Sequence, residues 1–319
     1  MFRFIARRIV GMGLVLFVVS LLVFLIFNVI PNSPPAQRLA GKNATPVLVK
    51  SIEEEWGFDN SLPSQYVTMM KKVFTGELTS YSPRVPVDER IFEGVPATLS
   101  LSIGAGIIWL SFGLLLGYLS AIRAGGALDK FLTGLAVAGI SIPVFLIAPV
   151  LLYFLTYKLE IFPNAGYVPL TEDPWGWFQH LILPWFTVAI LSIGFYSRVL
   201  RSNMLDVMNE DYVRTARAKG LSERQVLTRH VLRNSLIPIV TLFGLDFGAT
   251  VAGTAIITES IFNIEGVGLY AAESIGKLEL PPIMGVTLYG AFFVVFINAL
   301  VDIAYAYLDP RVRLGTSAQ

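Results

Sequence analysis

The chain has few residues that could do covalent chemistry, and they are not arranged for it. Its 319 residues include no cysteine and two histidines, His180 and His230. That composition excludes disulfides and thiolate metal sites, and it is too poor in histidine for a histidine-rich metal centre. Neither histidine sits in a His-Glu-x-x-His pattern, and no serine lies in a Gly-x-Ser-x-Gly elbow. A phosphate-cradling loop needs Gly-x-x-x-x-Gly-Lys-Ser/Thr. Gly-Lys occurs only as Gly41-Lys42-Asn43 and Gly276-Lys277-Leu278, with no Ser or Thr following and no glycine at the required spacing before. No hydrolytic, redox or nucleotide-hydrolysing site is expected, so the chain reads as a non-enzyme; if ATP drives it, the ATPase is another chain. What remains is charge inside apolar sequence. Asp246 and Asp302 lie in long hydrophobic runs, Asn298 is one helical turn from Asp302, and no basic residue inside a span offers Asp246 an obvious partner. A charge in a membrane interior is costly and invites a functional explanation. Three roles fit these residues: hydrogen bonding between helices, lining of a pore, or proton carriage.

The densest polar feature is Asn209 to Pro238, which carries Arg214, Arg217, Lys219, Arg224, Arg229 and Arg233 between two apolar segments. Two short helices are expected. The first has Asn209 as N-cap, acidic residues in its first turn, Lys219 in its last turn and Gly220 in the left-handed position that ends a helix. The second opens on Ser222 and Gln225 with the spacing of a capping box. Ser235 is expected to cap a further helix whose first turn holds Pro238. Ala216 and Gly220, four apart, share one face of the first helix. So little side chain there would let another protein approach the backbone. The plainer account is a solvated basic loop that obeys the inside preference of Lys and Arg; on that account His230 is simply a packed helix residue.

The elements that must position these residues are apolar helices. Hydrophobic residues make up 54% of the chain and charged residues 15%, where a soluble protein carries about 25% charged. Arg3, Arg7 and Arg8 precede a first span from Ile9 to about Ile30. Further spans are expected at 97–122, 131–156, 181–202, 236–258 and 283–308, the third bent by Ser141-Ile142-Pro143 and Pro149. The fold class is therefore an all-α membrane protein with six transmembrane helices. Segments 31–96, 157–180 and 259–282 are expected outside, and both termini, Arg123 to Lys130 and 203–235 inside. The outer stretch 31–95 reads as a small extracytoplasmic domain of short helices, with Val67, Met70, Phe74 and Leu78 on one stripe. Residues 1–30 carry the first helix, 96–308 the remaining five, and 309–319 an inner tail. Trp175 and Trp177 suit a membrane interface. Two short helices do not suffice for nucleic-acid recognition.

The run Tyr212-Val213-Arg214-Thr215-Ala216-Arg217-Ala218-Lys219-Gly220-Leu221, followed by His230, Leu232-Arg233-Asn234 and Pro238, resembles the cytoplasmic coupling loop of ATP-binding-cassette importer permeases. It is most similar to the dipeptide/oligopeptide/nickel branch. The general Glu-Ala-Ala signature of the class is altered here, since Arg214 and Thr215 stand where the Glu and the first Ala would be. Further resemblance lies in Gly76-Glu77-Leu78, Pro96-Ala97-Thr98-Leu99, Ser141-Ile142-Pro143, Phe162-Pro163 with Gly166-Tyr167, Glu259 with Ile261-Phe262, Gly266 and Gly268, and Asp309-Pro310-Arg311-Val312-Arg313. The resemblance implies the type I importer permease fold in a bacterial plasma (inner) membrane. It implies ATPase coupling through the 209–220 helix, by Tyr212, Arg214, Thr215, Ala216, Arg217, Lys219, Gly220 and Leu221. It also implies a second homologous permease, one or two cytoplasmic ATPase subunits holding ATP and magnesium, an external substrate-binding protein, and a peptide cargo. The permease itself would hold no cofactor. Dipeptides, oligopeptides, glutathione and a nickel chelate all suit the family. The competing class is an ion-coupled secondary transporter using Asp246 and Asp302.

Overall fold

A computed structural model describes residues 2–30, 34–40, 44–81 and 84–308, without the side chains of residues 2–5, 302 and 304–308. The Asp302 side chain and the segment 309–313 thus lie outside the described residues. Five described helices are long and apolar enough to cross a membrane: Ala6–Val29, Val87–Ile122, Pro174–Met208, Ile237–Thr254 and Leu280–Val301. A sixth span exists if Ala127–Ser141 and Val144–Lys158, which meet at 96°, cross as one broken element. The bend sits at Ile142-Pro143. Ile142 is extended (φ −91°, ψ 122°), as a residue before proline tends to be, and Pro143 starts the next helix. Pro149 lies within that next helix.

The chain forms two compact units. The first comprises 1–100, 165–172 and 248–299. It contains α1 (Phe2–Phe24, continued by a wide turn, Leu25–Val29), α2 (Pro35–Leu39), α3 (Pro46–Trp56) and α4 (Leu62–Thr75). Strands β1 (Thr79–Tyr81) and β2 (Arg84–Pro86) pair antiparallel with Ser80 opposite Val85. The first turns of α5 (Val87–Ile122) follow, and later α12 (Ile256–Phe262), α13 (Val267–Lys277) and most of α14 (Leu280–Leu308). One apolar core joins Phe24 of α1, Leu39, Ile52, Trp56 and Met69 of the 31–95 stretch, Val267 and Ala271 of α13, and Met284 of α14. The stretch between the first two spans therefore shares its core with membrane helices.

Two expectations for this unit are corrected. The buried face of α4 is Gln65, Met69 and Lys72; of the expected stripe, Val67 and Phe74 are exposed, while Met70 packs partly buried against the core and Leu78, beyond the helix, is buried in it. Polar partners decide this: Lys72 Nζ donates to Glu55 Oε1 at 2.7 Å and rides 5.5 Å above the Trp56 ring, and Gln65 Nε2 donates to the Phe58 and Asn60 carbonyls. The span expected at 97–122 lies within a helix that begins ten residues earlier, with Asp88 and Glu89 in its positive first turn. Pro96 lies inside it.

The second unit comprises 101–164, 173–247 and 300–319. It holds the rest of α5, α6 (Ala127–Ser141), α7 (Val144–Leu151, widened over Leu152–Lys158) and α8 (Pro174–Met208). Two short elements follow, α9 (Asp211–Ala218) and α10 (223–235, wide through Val226–Leu232), and then α11 (Ile237–Ala249). The wide turn after α11 breaks at Gly253 before α12. Its core is aromatic: Trp109 lies 6.5 Å from Tyr196 and 5.8 Å from Phe243, ring centre to ring centre. The 35 residues of α8 extend about 52 Å at roughly 1.5 Å per residue, well beyond an apolar layer of about 30 Å. The span expected at 181–202 is thus the middle of a longer rod that leads straight to α9.

Candidate functional site

The basic stretch folds as the helical hairpin α9–α10. Glu210, not Asn209, is the N-cap of α9, because Asn209 still ends α8 and its Nδ2 donates back to the Leu205 carbonyl at 2.9 Å. Asp211 supplies the first-turn acid and Arg217 the last-turn base. Gly220 takes the left-handed conformation, φ +81°; a side chain there would cost about 1–2 kcal/mol. Ser222 starts α10 through its backbone alone, so the expected capping box is not made. Ser235 donates to the Val231 carbonyl instead of capping the next helix.

The hairpin is pinned at both ends. Arg217 grips Glu223 with two bonds across the Gly220 turn, Nε–Oε2 at 3.1 Å and Nη2–Oε1 at 2.8 Å. This pairing raises the guanidinium and lowers the carboxyl from their ordinary ranges. Asn234 Nδ2 donates to the Tyr212 hydroxyl at 2.6 Å, tying the start of α9 to the end of α10. Val213, Ala216, Val226 and Val231 are buried between α9, α10 and the end of α8.

That packing corrects the expected contact face. Ala216 is only 5% exposed and is small so that α9 can press on its own chain. Gly220 does stand open, with free space around the place a Cβ would take. The outward surface is Tyr212, Arg214, Thr215, Arg217, Lys219 and Leu221. Arg214 pairs there with Asp211 at 3.4 Å, and Leu221 offers an apolar side chain 39% exposed.

Two buried polar clusters were not anticipated. In the second unit Asp129, 3% exposed, takes two bonds from Arg201, Nε–Oδ1 and Nη2–Oδ2, both at 2.7 Å. Ser120 Oγ, the Gly125 amide (2.8 Å) and Thr133 Oγ1 (3.3 Å) donate to the same carboxylate. This clamp fastens the turn between α5 and α6 to α8, seven residues before α8 ends. Sequence reading counted Arg123 and Lys130 in that turn and passed over Asp129. The available signal was an acidic residue four past Gly125 in a turn otherwise basic.

In the first unit Glu259, 0% exposed, accepts from Thr98 Oγ1 at 2.8 Å and from the Leu269 amide at 2.9 Å. Thr98 Oγ1 in turn accepts from the Val267 amide at 2.9 Å. Glu259 and Thr98 together cap the N-terminus of α13, where amides need acceptors and the dipole favours an anion. Burial pushes the Glu259 carboxyl up, while Thr98 and the amides of Leu269 and Gly268 pull it down; burial wins. Parts of the three segments expected outside also meet within this unit, through 259–282. Ser80 donates to Glu279 Oε2, and the Gly166 amide, in the 165–172 part of the middle segment, donates to the Phe262 carbonyl at 2.8 Å. Ser100, at the start of the next expected span, lies 3.3 Å from the Tyr167 hydroxyl.

Of the intramembrane residues, Asp246 on α11 is half-buried and accepts from the Tyr196 hydroxyl of α8 at 2.8 Å. That is a bond between helices. Asn298 on α14 is also half-buried. Among the described residues no group of three or more His, Cys, Asp and Glu side chains is placed to hold a metal ion.

The family model for the binding-protein-dependent transport system inner membrane component matches residues 113–314, and the model for the N-terminal part of such membrane components matches 1–102. The chain belongs to this family. A probable peptide ABC transporter permease of Sinorhizobium fredii is 36% identical to this permease, over 97% of this chain and 99% of its own. The dipeptide transport system permease protein DppB of Bacillus subtilis is 34% identical over 98% and 99% of the two chains, and the glutathione transport system permease protein GsiC of Salmonella paratyphi A is 34% identical over the same shares. Among solved structures, the inward-facing MetNI methionine ABC transporter shares the fold at TM-score 0.54 and 15% identity, over 70% of this chain and 98% of that one. The permease is thus a multi-pass inner-membrane subunit of an ATP-driven importer.

Proposed function

We propose that this permease carries di- or oligopeptides inward, with α9–α10 as the docking site for a separate cytoplasmic ATPase. Peptide cargo is supported by the names of its relatives, which include peptide and dipeptide permeases. The single observation that carries the docking role is the build of the hairpin. It is stiffened internally by Arg217–Glu223 and Tyr212–Asn234, yet it leaves Arg214, Lys219 and Leu221 pointing outward. A rigid element at the end of a long helix can pass a push from an ATPase into the membrane helices. The remaining partners are a second permease and an external binding protein. ATP and magnesium are held by the ATPase chains. Residues 31–96, 157–180 and 259–282 face outward and 203–235 inward. The contacts of Ser80 and of Gly166, in the 165–172 part of the middle segment, with the 259–282 stretch support that arrangement. Tyr196–Asp246 supports a structural role for Asp246 over proton carriage.

The test uses outward residues only. Arg214→Glu and Leu221→Asp are expected to leave permease levels in the membrane unchanged, since surface substitutions typically shift stability by less than about 0.5 kcal/mol. They are expected to lower ATPase co-purification at least tenfold and to abolish stimulation of hydrolysis by substrate. Normal assembly and stimulation in both variants would remove the coupling role and leave the stretch as a topology signal.

A further inference from the structure

Within the first unit, β1–β2, the first turns of α5 and the α13 helix line a half-open pocket of about 370 Å³, a size typical of a ligand pocket. Glu279 lines it. This residue is 6% exposed; its Oε2 accepts from Ser80 Oγ, and its Oε1 is buried with no hydrogen-bond partner. The Tyr270 hydroxyl, on the same cavity, is likewise buried and unpartnered. A buried carboxylate oxygen without a donor is costly, and native structures seldom leave one. The nearby cations are engaged elsewhere. Arg90 bonds Glu93 at 3.1 Å and lies 5.8 Å over the Tyr270 ring, and Lys277 faces Glu273 at 3.9 Å.

Around the cavity stand four carboxylates, those of Glu89, Glu93, Glu273 and Glu279, against these two cations. A second cavity of about 540 Å³ shares Arg90, Glu93, Tyr270 and Glu273 with the first and adds Glu265. The two form one acidic groove beside α13, and among the described residues no three of its carboxylates are placed to hold a metal ion. Its chemistry fits a protein surface that presents basic side chains, one of them reaching Glu279.

We infer that this groove receives a lysine or arginine of the external binding protein, with Glu279 accepting its charged N–H groups. The inference rests on the importer reading above and names a contact within it. Charge-assisted bonds to a carboxylate are the strong ones, and the acidic rim would steer the approach of the partner.

The experiment measures binding of the cognate external protein to the complete transporter in nanodiscs, at low and high salt. Glu279→Gln is expected to weaken binding about tenfold. The rim variant carrying Glu93→Gln and Glu273→Gln is expected to slow association and flatten its salt dependence, without touching the buried residue. Failure of the unaltered transporter to bind any external protein would overturn the importer reading and this inference with it. Normal binding by the unaltered transporter and by both variants would overturn the inference alone. Normal binding by Glu279→Gln with a raised KM for peptide uptake would also overturn it, and would hand the groove to the ammonium end of the substrate.

Discussion

Replacing Asp129 with Ala is expected to destabilise the transporter more than any surface change in the basic hairpin. Removal of one member of a buried ion pair costs about 3–5 kcal/mol, because the other charge is left uncompensated. Here the effect should lie near the lower figure, since Arg201 keeps 29% of its side chain exposed and can partly rehydrate. Ser120, Thr133 and the Gly125 amide would lose their acceptor as well. Asp129→Asn keeps the shape and some of these bonds but loses the charge, so it should fall between Ala and the native residue. The combination of Asp129→Ala with Arg201→Met should recover much of the loss, because neither charge then remains. Thermal unfolding of the purified transporter, read alongside its level in the membrane, checks this. A single Asp129→Ala variant as stable as the parent, or a double variant no better than the single, would show that the pair does not fasten the α5–α6 turn to α8.

Glu259→Ala is expected to be at least as damaging. It strips an acceptor from the Thr98 hydroxyl and from the amide of Leu269, each about 1–3 kcal/mol when left buried and unpaired. It also opens a cavity at a site with no exposure. Gly266→Ala tests the same cap from the other side. A Cβ there would come within 2.4 Å of Glu259 Oε2 and 2.6 Å of Thr98 Oγ1, so both acceptors must move. Glu259→Gln is the informative control. Burial holds the folded-state pKa above the unfolded one, so this group adds most stability when protonated, at low pH. That contribution declines as pH rises from the ordinary carboxylate range through the raised folded value. Gln should flatten this part of the pH profile while costing less than Ala at neutral pH. The measurement is thermal stability of the assembled transporter against pH. An unchanged slope in Glu259→Gln, or a Gly266→Ala variant of native stability, would contradict the capping role.

Much of this protein is determined by local sequence. The apolar runs dictate membrane helices wherever water cannot satisfy a backbone. The Ile142-Pro143 break follows from proline sterics, and Gly220 could end α9 in a left-handed turn because it has no Cβ. The motif Tyr212 to Pro238 also carried the family. Which side of an element faces inward was another matter. Ala216 looked like room for a partner, yet it is room for α10 and α8. Val67 and Phe74 looked like a core face, yet Lys72 and Gln65 took that place by finding Glu55 and two carbonyls. The capping box at Ser222 had the right spacing and was not formed. Asp129 with Arg201, Glu259 with Thr98, and Glu279 with Ser80 are separated by 72, 161 and 199 positions. No local pattern pairs residues so far apart. Their partners are chosen when helices pack and each buried charge must find a donor, and only the tertiary structure decides that.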